Sequence, residues 1–414
     1  MTLDATTETR VRAADQALRA RAKSVIANGM YGHLSVNRLP ASYPQYYARG
    51  EGARVWDVDG NEYVDFMCSF GPIILGYKHP AVEAAAAAQA RDGDTQPGPA
   101  PCMVELAELL VDRVAHADWA MFAKNGTDAT TIALMVARAA TGRSKVLAAT
   151  GAYHGSAPWA TLRMAGVTPE DRANLVYYTY NDVASVERAI EQAGAGDVAA
   201  IITSPFRHDA GFDQELADPA FARHLRELCD RTGAALVMDE VRAGFRLHHG
   251  GSWEPLGVDV DLSAWSKGIA NGYPLAAILG RHQYAEAATQ IFVTGSFWYQ
   301  AVPMAAAVAT IHALRDEDAV AVMERVGTRL REELDALAHD VGVPLRQTGP
   351  VQMPNLAFAG DDAAFTKAFA FSTAMLDRGV IVHPRHNWFL SAAHTDEDVD
   401  RFLEAARDGL EAVR

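Results

Sequence analysis

Short, mainly apolar runs alternate with helix-like stretches through the middle of the chain. Five runs stand out: Ala120 to Ala123, Val146 to Ala149, Ala199 to Thr203, Ala235 to Met238 and Leu262 to Trp265. They are too short for helices and carry no charge, so they read as strands, and their alternation with helices implies a parallel sheet. Their C-terminal ends carry Asn125-Gly126-Thr127, Tyr153-His154, Ser204-Pro205, Asp239-Glu240 and Ser266-Lys267 respectively. In open α/β sheets ligands collect outside the carboxyl ends of the strands, so these residues read as one site.

The flanks follow a different pattern. WDVDGNEYVDF, from Trp56, alternates around Asp59-Gly60 and predicts a hairpin in a small β element. The segment Val82 to Ala90 holds five consecutive alanines, a closely packed helix with no function of its own. Ala287 to Leu314 is a 28-residue run without formal charge, longer than the roughly 20 residues of a membrane span. Thr294, Gly295, Ser296, Gln300, Pro303 and Thr310 interrupt it, so it reads as a polar loop followed by a buried Ala-rich helix. Beyond Ala305 the pattern is helical, then come two apolar runs, Val380 to Val382 and Trp388 to Ala392, and a last helix from Asp396. The expected organisation is an N-terminal segment, 1–75, a large domain, 76–304, and a smaller α+β C-terminal domain, 305–414.

Charge removes some function classes. With 37 basic and 52 acidic side chains the net charge is −15, which is no nucleic-acid footprint. Hydrophobic residues make up 49%, enough for a large core. Cys68, Cys102 and Cys229 are too few and too scattered for a disulfide framework or a metal cluster, and they suit a reducing cytoplasm. His248-His249 is likewise too isolated for a metal site. The first residues, with Asp4, Glu8 and Arg10, lack the layout of a signal peptide, so no export is expected.

Three of the strand ends carry candidate chemistry. Asn125-Gly126-Thr127-Asp128 opens a helix running from Asp128 to Ala140, with Gly142 as its C-cap; the free amides and dipole of its first turn favour a phosphate. Asp239 suits a cationic ring nitrogen, since a carboxylate beside a positive group keeps both ionised. Lys267, if buried, becomes a competent nucleophile toward an aldehyde and forms a Schiff base. Each also has an ordinary reading, as a plain helix cap, a loop anchor and a structural lysine. Together with an aromatic at Tyr153 they meet four demands of one cofactor, pyridoxal 5′-phosphate (PLP).

The strings KNGTDATTIALMVARAATGR, GAYHG, MDEVRAGFR, WSKGIANGYPLAAILG and FLSAAHTDEDVDRFL resemble class III aminotransferases of PLP fold type I. Within that family the glutamate-1-semialdehyde aminomutase-like branch is the nearest, and the resemblance spans roughly Tyr47 to the C-terminus. It implies an α/β fold: a large domain with a mostly parallel central sheet, and a smaller α+β domain drawn from both termini. It also implies that Lys267 forms the internal aldimine and shuttles the proton between the α-carbon and cofactor C4′. Asp239 would pair with the pyridinium nitrogen, Val241 and Tyr153 sandwich the ring, and the Gly126-Thr127 backbone hold the phosphate; Asn125 and His154 fall in the same motifs. Ser296, in Gly295-Ser296-Phe297, stands where the family's Gly-Thr-Phe string reaches the phosphate of a neighbouring subunit, so a homodimer with shared sites is expected.

The amino-acid donor is expected to be glutamate or glutamine. SFGPIILGYKHP, the FWYQ segment and HPRHNWFLSAAHT look like aminotransferases of aminoglycoside-antibiotic pathways, which aminate an oxidised sugar carbon, typically six-prime. Candidate substrate residues are Phe70, Glu240, Arg242, Trp298 and Tyr299. Arg242 replaces the Gln or Met of many relatives and is open as a carboxylate contact, an O3′ contact or a surface residue; Arg246 and Arg385 are further carboxylate candidates. Alternatives with the same cofactor residues are an aminomutase or epimerase, with Cys68 as a second acid/base, and an elimination enzyme. His394 is expected to make only local hydrogen bonds.

Overall fold

The computed structural model describes residues 12–35, 38–209 and 212–414. The N-terminal reading at Asp4, Glu8 and Arg10 lies outside the described residues. The chain divides into two compact units: one holds Gly71–Ile73 and Pro80–Val320, the other the described residues up to Phe70, Ile74–His79 and Ala321–Arg414.

The larger unit is built on a seven-stranded sheet: β1 (Trp119–Ala123), β2 (Lys145–Ala149), β3 (Leu175–Tyr178), β4 (Val198–Thr203), β5 (Ala235–Asp239), β6 (Leu262–Trp265) and β7 (Ala276–Gly280). The order across it is β1-β7-β6-β5-β4-β2-β3. All five expected strands are present. β7 pairs antiparallel with β6 and with β1, and the remaining pairings are parallel.

The uninterrupted apolar strands follow from covering both faces. Leu147, Ile201, Leu236 and Met238 enter one core with the helices Val183–Ala193 and Pro219–Thr232. Their neighbours Val146, Ala148, Ala200, Ile202, Ala235 and Val237 enter a second core with the helix Gly126–Thr141. That is the period of two of a pleated strand, and each fully buried Val, Leu or Ile contributes roughly 1.5–3 kcal/mol. Every parallel strand therefore ends on the same edge, and the polar residues that follow are brought there.

The Ala287 to Leu314 run resolves into the helix Ala285–Gln290, a loop over 291–300 and the helix Ala301–Asp316. No helix among the described residues is long and apolar enough to cross a membrane. Ala301–Asp316 packs on Pro80–Asp92 and Cys102–Arg113 and belongs to the larger unit. The join expected at 304/305 is therefore displaced: small alanine side chains let that helix approach its neighbours closely, and the second unit resumes only at Ala321.

The smaller unit has a four-stranded sheet of Tyr47–Glu51, Arg54–Asp57, Glu62–Asp65 and Val380–Ile381. The hairpin at Asp59-Gly60 is present, with the Asp57 carboxylate accepting from the Asp59 and Asn61 amides at 3.0 and 2.9 Å. Val380–Ile381 joins parallel to Glu62–Asp65, so the two ends of the chain share one sheet.

Candidate active site

Asp239 is the last residue of β5 and is buried. Its Oδ2 lies 2.7 Å from His154 Nδ1, and its Oδ1 accepts from the Val241 amide at 3.0 Å. A carboxylate only accepts, so Nδ1 carries the proton and fixes the tautomer of His154. The imidazole is itself held: the Trp159 ring stacks on it, and its backbone carbonyl accepts from Thr130 Oγ1 at 2.7 Å. Two donors thus aim the carboxylate, and its remaining lone pairs are available to a cationic nitrogen.

Lys267 lies just beyond β6 at φ +49°. A residue with a side chain is disfavoured there by about 1–3 kcal/mol, and such strain collects at functional positions. Burial, reinforced by the Arg242 cation and opposed by Asp239, brings its amine down from the usual 10.5 to about 7. An appreciable share is then neutral at physiological pH, the condition for a nucleophilic amine.

Asn125 caps the helix Gly126–Thr141, accepting from the Asp128 amide at 3.1 Å in a capping box. The helix begins closer to the strand than the sequence suggested, which puts Gly126 and Thr127 in its first turn, where amides lack intrahelical acceptors. A Cβ on Gly126 would lie 2.7 Å from Val241 Cγ1. Gly155, at φ +120°, would put a Cβ 2.6 Å from Thr127 Oγ1, which accepts from the Ser156 amide at 3.0 Å. At both glycines the bare backbone therefore packs directly on its neighbours, an arrangement that leaves the amides open to a phosphate.

A cavity of about 410 Å³ unites these ends. Asn125, Gly126, Thr127, Tyr153, His154, Asp239, Val241 and Lys267 all line it, as does Arg242. Ser266, expected at its strand end, lines it as well; Thr130, Gly155, Ser156 and His208 line it too and were not singled out from the sequence. Most follow within a few residues of a strand end, a signal already present in the sequence. His208 is buried and kept neutral, first by burial and then by the Arg242 charge. The residues present fit PLP: an amine for its aldehyde, a carboxylate for its ring nitrogen, a helix start built on glycine for its phosphate.

Other candidates fall elsewhere. Glu240 is corrected as a substrate residue: it is buried away from the cavity, accepts from the Ser252 amide at 2.7 Å and from Ser252 Oγ, and burial raises it to about 7. Ser296 and Tyr299 are exposed on the 291–300 loop and do not line the cavity of their own chain. Trp298 packs against the core and onto Gly295, so it too is no lining residue. Phe70 belongs to the smaller unit, at φ +65° in a turn with Cys68 and Ser69, beside the rings of His33, His383 and His386. The Cys68 thiol is buried in that unit and donates to the Phe389 carbonyl at 3.4 Å. His394 Nδ1 accepts from the Ser391 amide at 3.0 Å, a local contact. Among the described residues no group of three or more His, Cys, Asp or Glu is placed to hold a metal ion.

Residues 37–406 match the family described as Aminotransferase class-III. The chain is 51% identical to the aminopentol aminotransferase of Sphingopyxis macrogoltabida, over 96% of this chain and 93% of that one. It is 32% identical to a glutamate-1-semialdehyde 2,1-aminomutase of Desulfitobacterium hafniense, covering 95% and 97%. The solved structure of the PLP internal aldimine form of the FumI protein of Sphingopyxis sp. MTA144 superposes with a TM-score of 0.94 at 50% identity, covering 96% of both chains. Fold, strand-end site and sequence therefore agree that this chain belongs to the class-III aminotransferases, fold type I enzymes that work with PLP.

Proposed function

We propose that the enzyme moves an amino group between a hydroxyl-rich primary amine, or its oxo form, and an amino acid/2-oxo acid pair. The observation that carries it is Lys267, brought down to about 7 in the same cavity as Asp239 and the Gly126 helix start.

PLP, when bound, supplies an electron sink for charge developing at the carbon that bears the amino group. The Asp239 carboxylate, aimed by His154 and the Val241 amide, would hold the ring nitrogen in its protonated form. Gly126 and Thr127 amides would hold the phosphate, and Val241 and Tyr153 would cover the ring. Lys267 Nζ would hold the aldehyde carbon and, once freed by an incoming amine, would take the proton from the amine-bearing carbon and deliver it at C4′.

A polyol amine is supported by the name of the 51% identical relative, aminopentol aminotransferase. The aminoglycoside acceptor is not carried forward in its specific form, since the relatives above are named for aminopentol and glutamate-1-semialdehyde; what it shares with aminopentol is a hydroxylated amine. Ser296 is proposed to reach the phosphate of a second copy in a homodimer. That reading is supported by Phe292, 91% exposed on the same loop, and by exposed Phe297. A reducing cytoplasm is supported by three buried free cysteines.

Incubating holoenzyme with an amino polyol and pyruvate should give alanine and the oxo polyol. Solvent deuterium uptake without alanine would instead favour the aminomutase or epimerase alternative.

A further inference from the structure

We propose that Arg242 anchors the carboxylate of the amino-acid/2-oxo-acid co-substrate, a specificity role that rests on the amino-transfer reading above. A 2-oxo acid carries its carboxylate one bond from the reacting carbon. Its anchor must therefore stand in the same cavity as Lys267, and it must be a cation that Lys267 itself does not supply.

The structure separates the three arginines open from the sequence. Arg246 is 1% exposed, and its Nη2 donates to the Gly71 carbonyl at 2.6 Å, so it is a structural tie. Arg385 is exposed in the smaller unit, its guanidinium 4.6 Å from the centre of the Phe365 ring. Arg242 lines the cavity with Lys267 and is only half-buried. Among the described lining residues, Lys267 and Arg242 are the lysine and the arginine.

The groups around Arg242 keep it charged. Asp239 is engaged by His154 and the Val241 amide, and Asp209 lies 3.7 Å from Arg207. Tyr153, His208 and Lys267 are the other titratable groups facing it. Burial lowers the guanidinium only to about 10, against the pull of Asp239, Asp209 and Tyr153, so it is cationic throughout the working range. Its Nη1 makes a long bond of 3.4 Å to the His208 carbonyl. A planar guanidinium in a partly dry wall matches a carboxylate in two parallel bonds, which an ammonium does not.

The test compares pyruvate with propanal, an acceptor of the same carbon count without the carboxylate. In Arg242→Met the kcat/KM ratio, pyruvate over propanal, should fall roughly tenfold or more, the loss of one charge-assisted pair, and Arg242→Lys should fall less. The ratio cancels any loss of folded enzyme. Independently of turnover, calorimetric titration of holoenzyme with propanoate should weaken by a similar factor in Arg242→Met, while propanamide binding stays the same. An unchanged ratio with unchanged propanoate binding would overturn the assignment. So would equal losses on both acceptors with a shifted visible absorption band, which would put Arg242 on the cofactor ring oxygen. Failure of the parent enzyme to aminate either acceptor would sink the amino-transfer reading instead, and propanoate titration would still decide the role of Arg242.

Discussion

At the scale of single residues, the site works by holding two ionisable groups in unusual surroundings. Lys267 is brought to about 7 mainly by burial, and the sign of the pH dependence follows. Below 7 the amine is protonated and inert; above 7 it is neutral, and reactivity levels off. Capture of pyridoxal, which lacks the phosphate, by the apoprotein should therefore rise roughly tenfold from pH 6 to 8 and then flatten. A rate still climbing tenfold per unit at pH 9 would mean an ordinary lysine. His154 acts through Asp239. Replacing it with Phe removes the donor to Oδ2, a loss of about 1–3 kcal/mol for a buried bond to a charged group, so PLP retention should weaken roughly tenfold to a hundredfold. Equilibrium dialysis measures it, and unchanged retention would leave His154 a packing residue. The position of Lys267 and Asp239 at strand ends was legible in the sequence. The His154–Asp239 bond was not, because 85 residues separate them and only the pairing of β5 with β4, and of β4 with β2, brings their ends together.

At the scale of elements, the helix Gly126–Thr141 is proposed as the phosphate end of the site, and its start is set by contact between Gly126 and Val241. Gly126→Ala forces a Cβ to 2.7 Å from Val241 Cγ1, so PLP affinity should fall by tenfold or more, with a stability loss of about 1–3 kcal/mol from the overpacking. Adding Val241→Ala to that variant should recover part of the loss, because the two substitutions share one contact. Strict additivity would show that the contact does not matter. Five of the seven strands could be read directly, as runs of mainly apolar residues between polar turns. β3 and β7 were missed. β3 has an exposed Tyr177 that breaks the apolar run, and β7 follows the Lys267 turn so closely that its short apolar stretch merges with the motif. Glu240 illustrates the opposite error: an acid beside a catalytic acid invites a functional reading, but in the turn after β5 it points back to Ser252.

At the scale of the whole molecule, the chemistry depends on one edge of one sheet. The smaller unit was recognisable as α+β, but its edge at residue 305 was misplaced because an Ala-rich helix carries no mark of which partner it packs on. The exposed loop 291–300 gives the assembly its test. Phe292→Asp should shift the protein toward monomer in analytical ultracentrifugation and weaken PLP retention, since Ser296 on that loop is proposed to serve a second copy's phosphate. A variant that stays dimeric, or a monomer with full retention, would remove the shared-site proposal.

The central claim is that the Lys267 amine forms the resting bond to the PLP aldehyde. Borohydride reduction of the holoenzyme, followed by peptide mass spectrometry, measures that bond directly. The account predicts a phosphopyridoxyl group on Lys267 and no yellow absorption band in Lys267→Ala. A label on another lysine, or a band that survives the substitution, would contradict it.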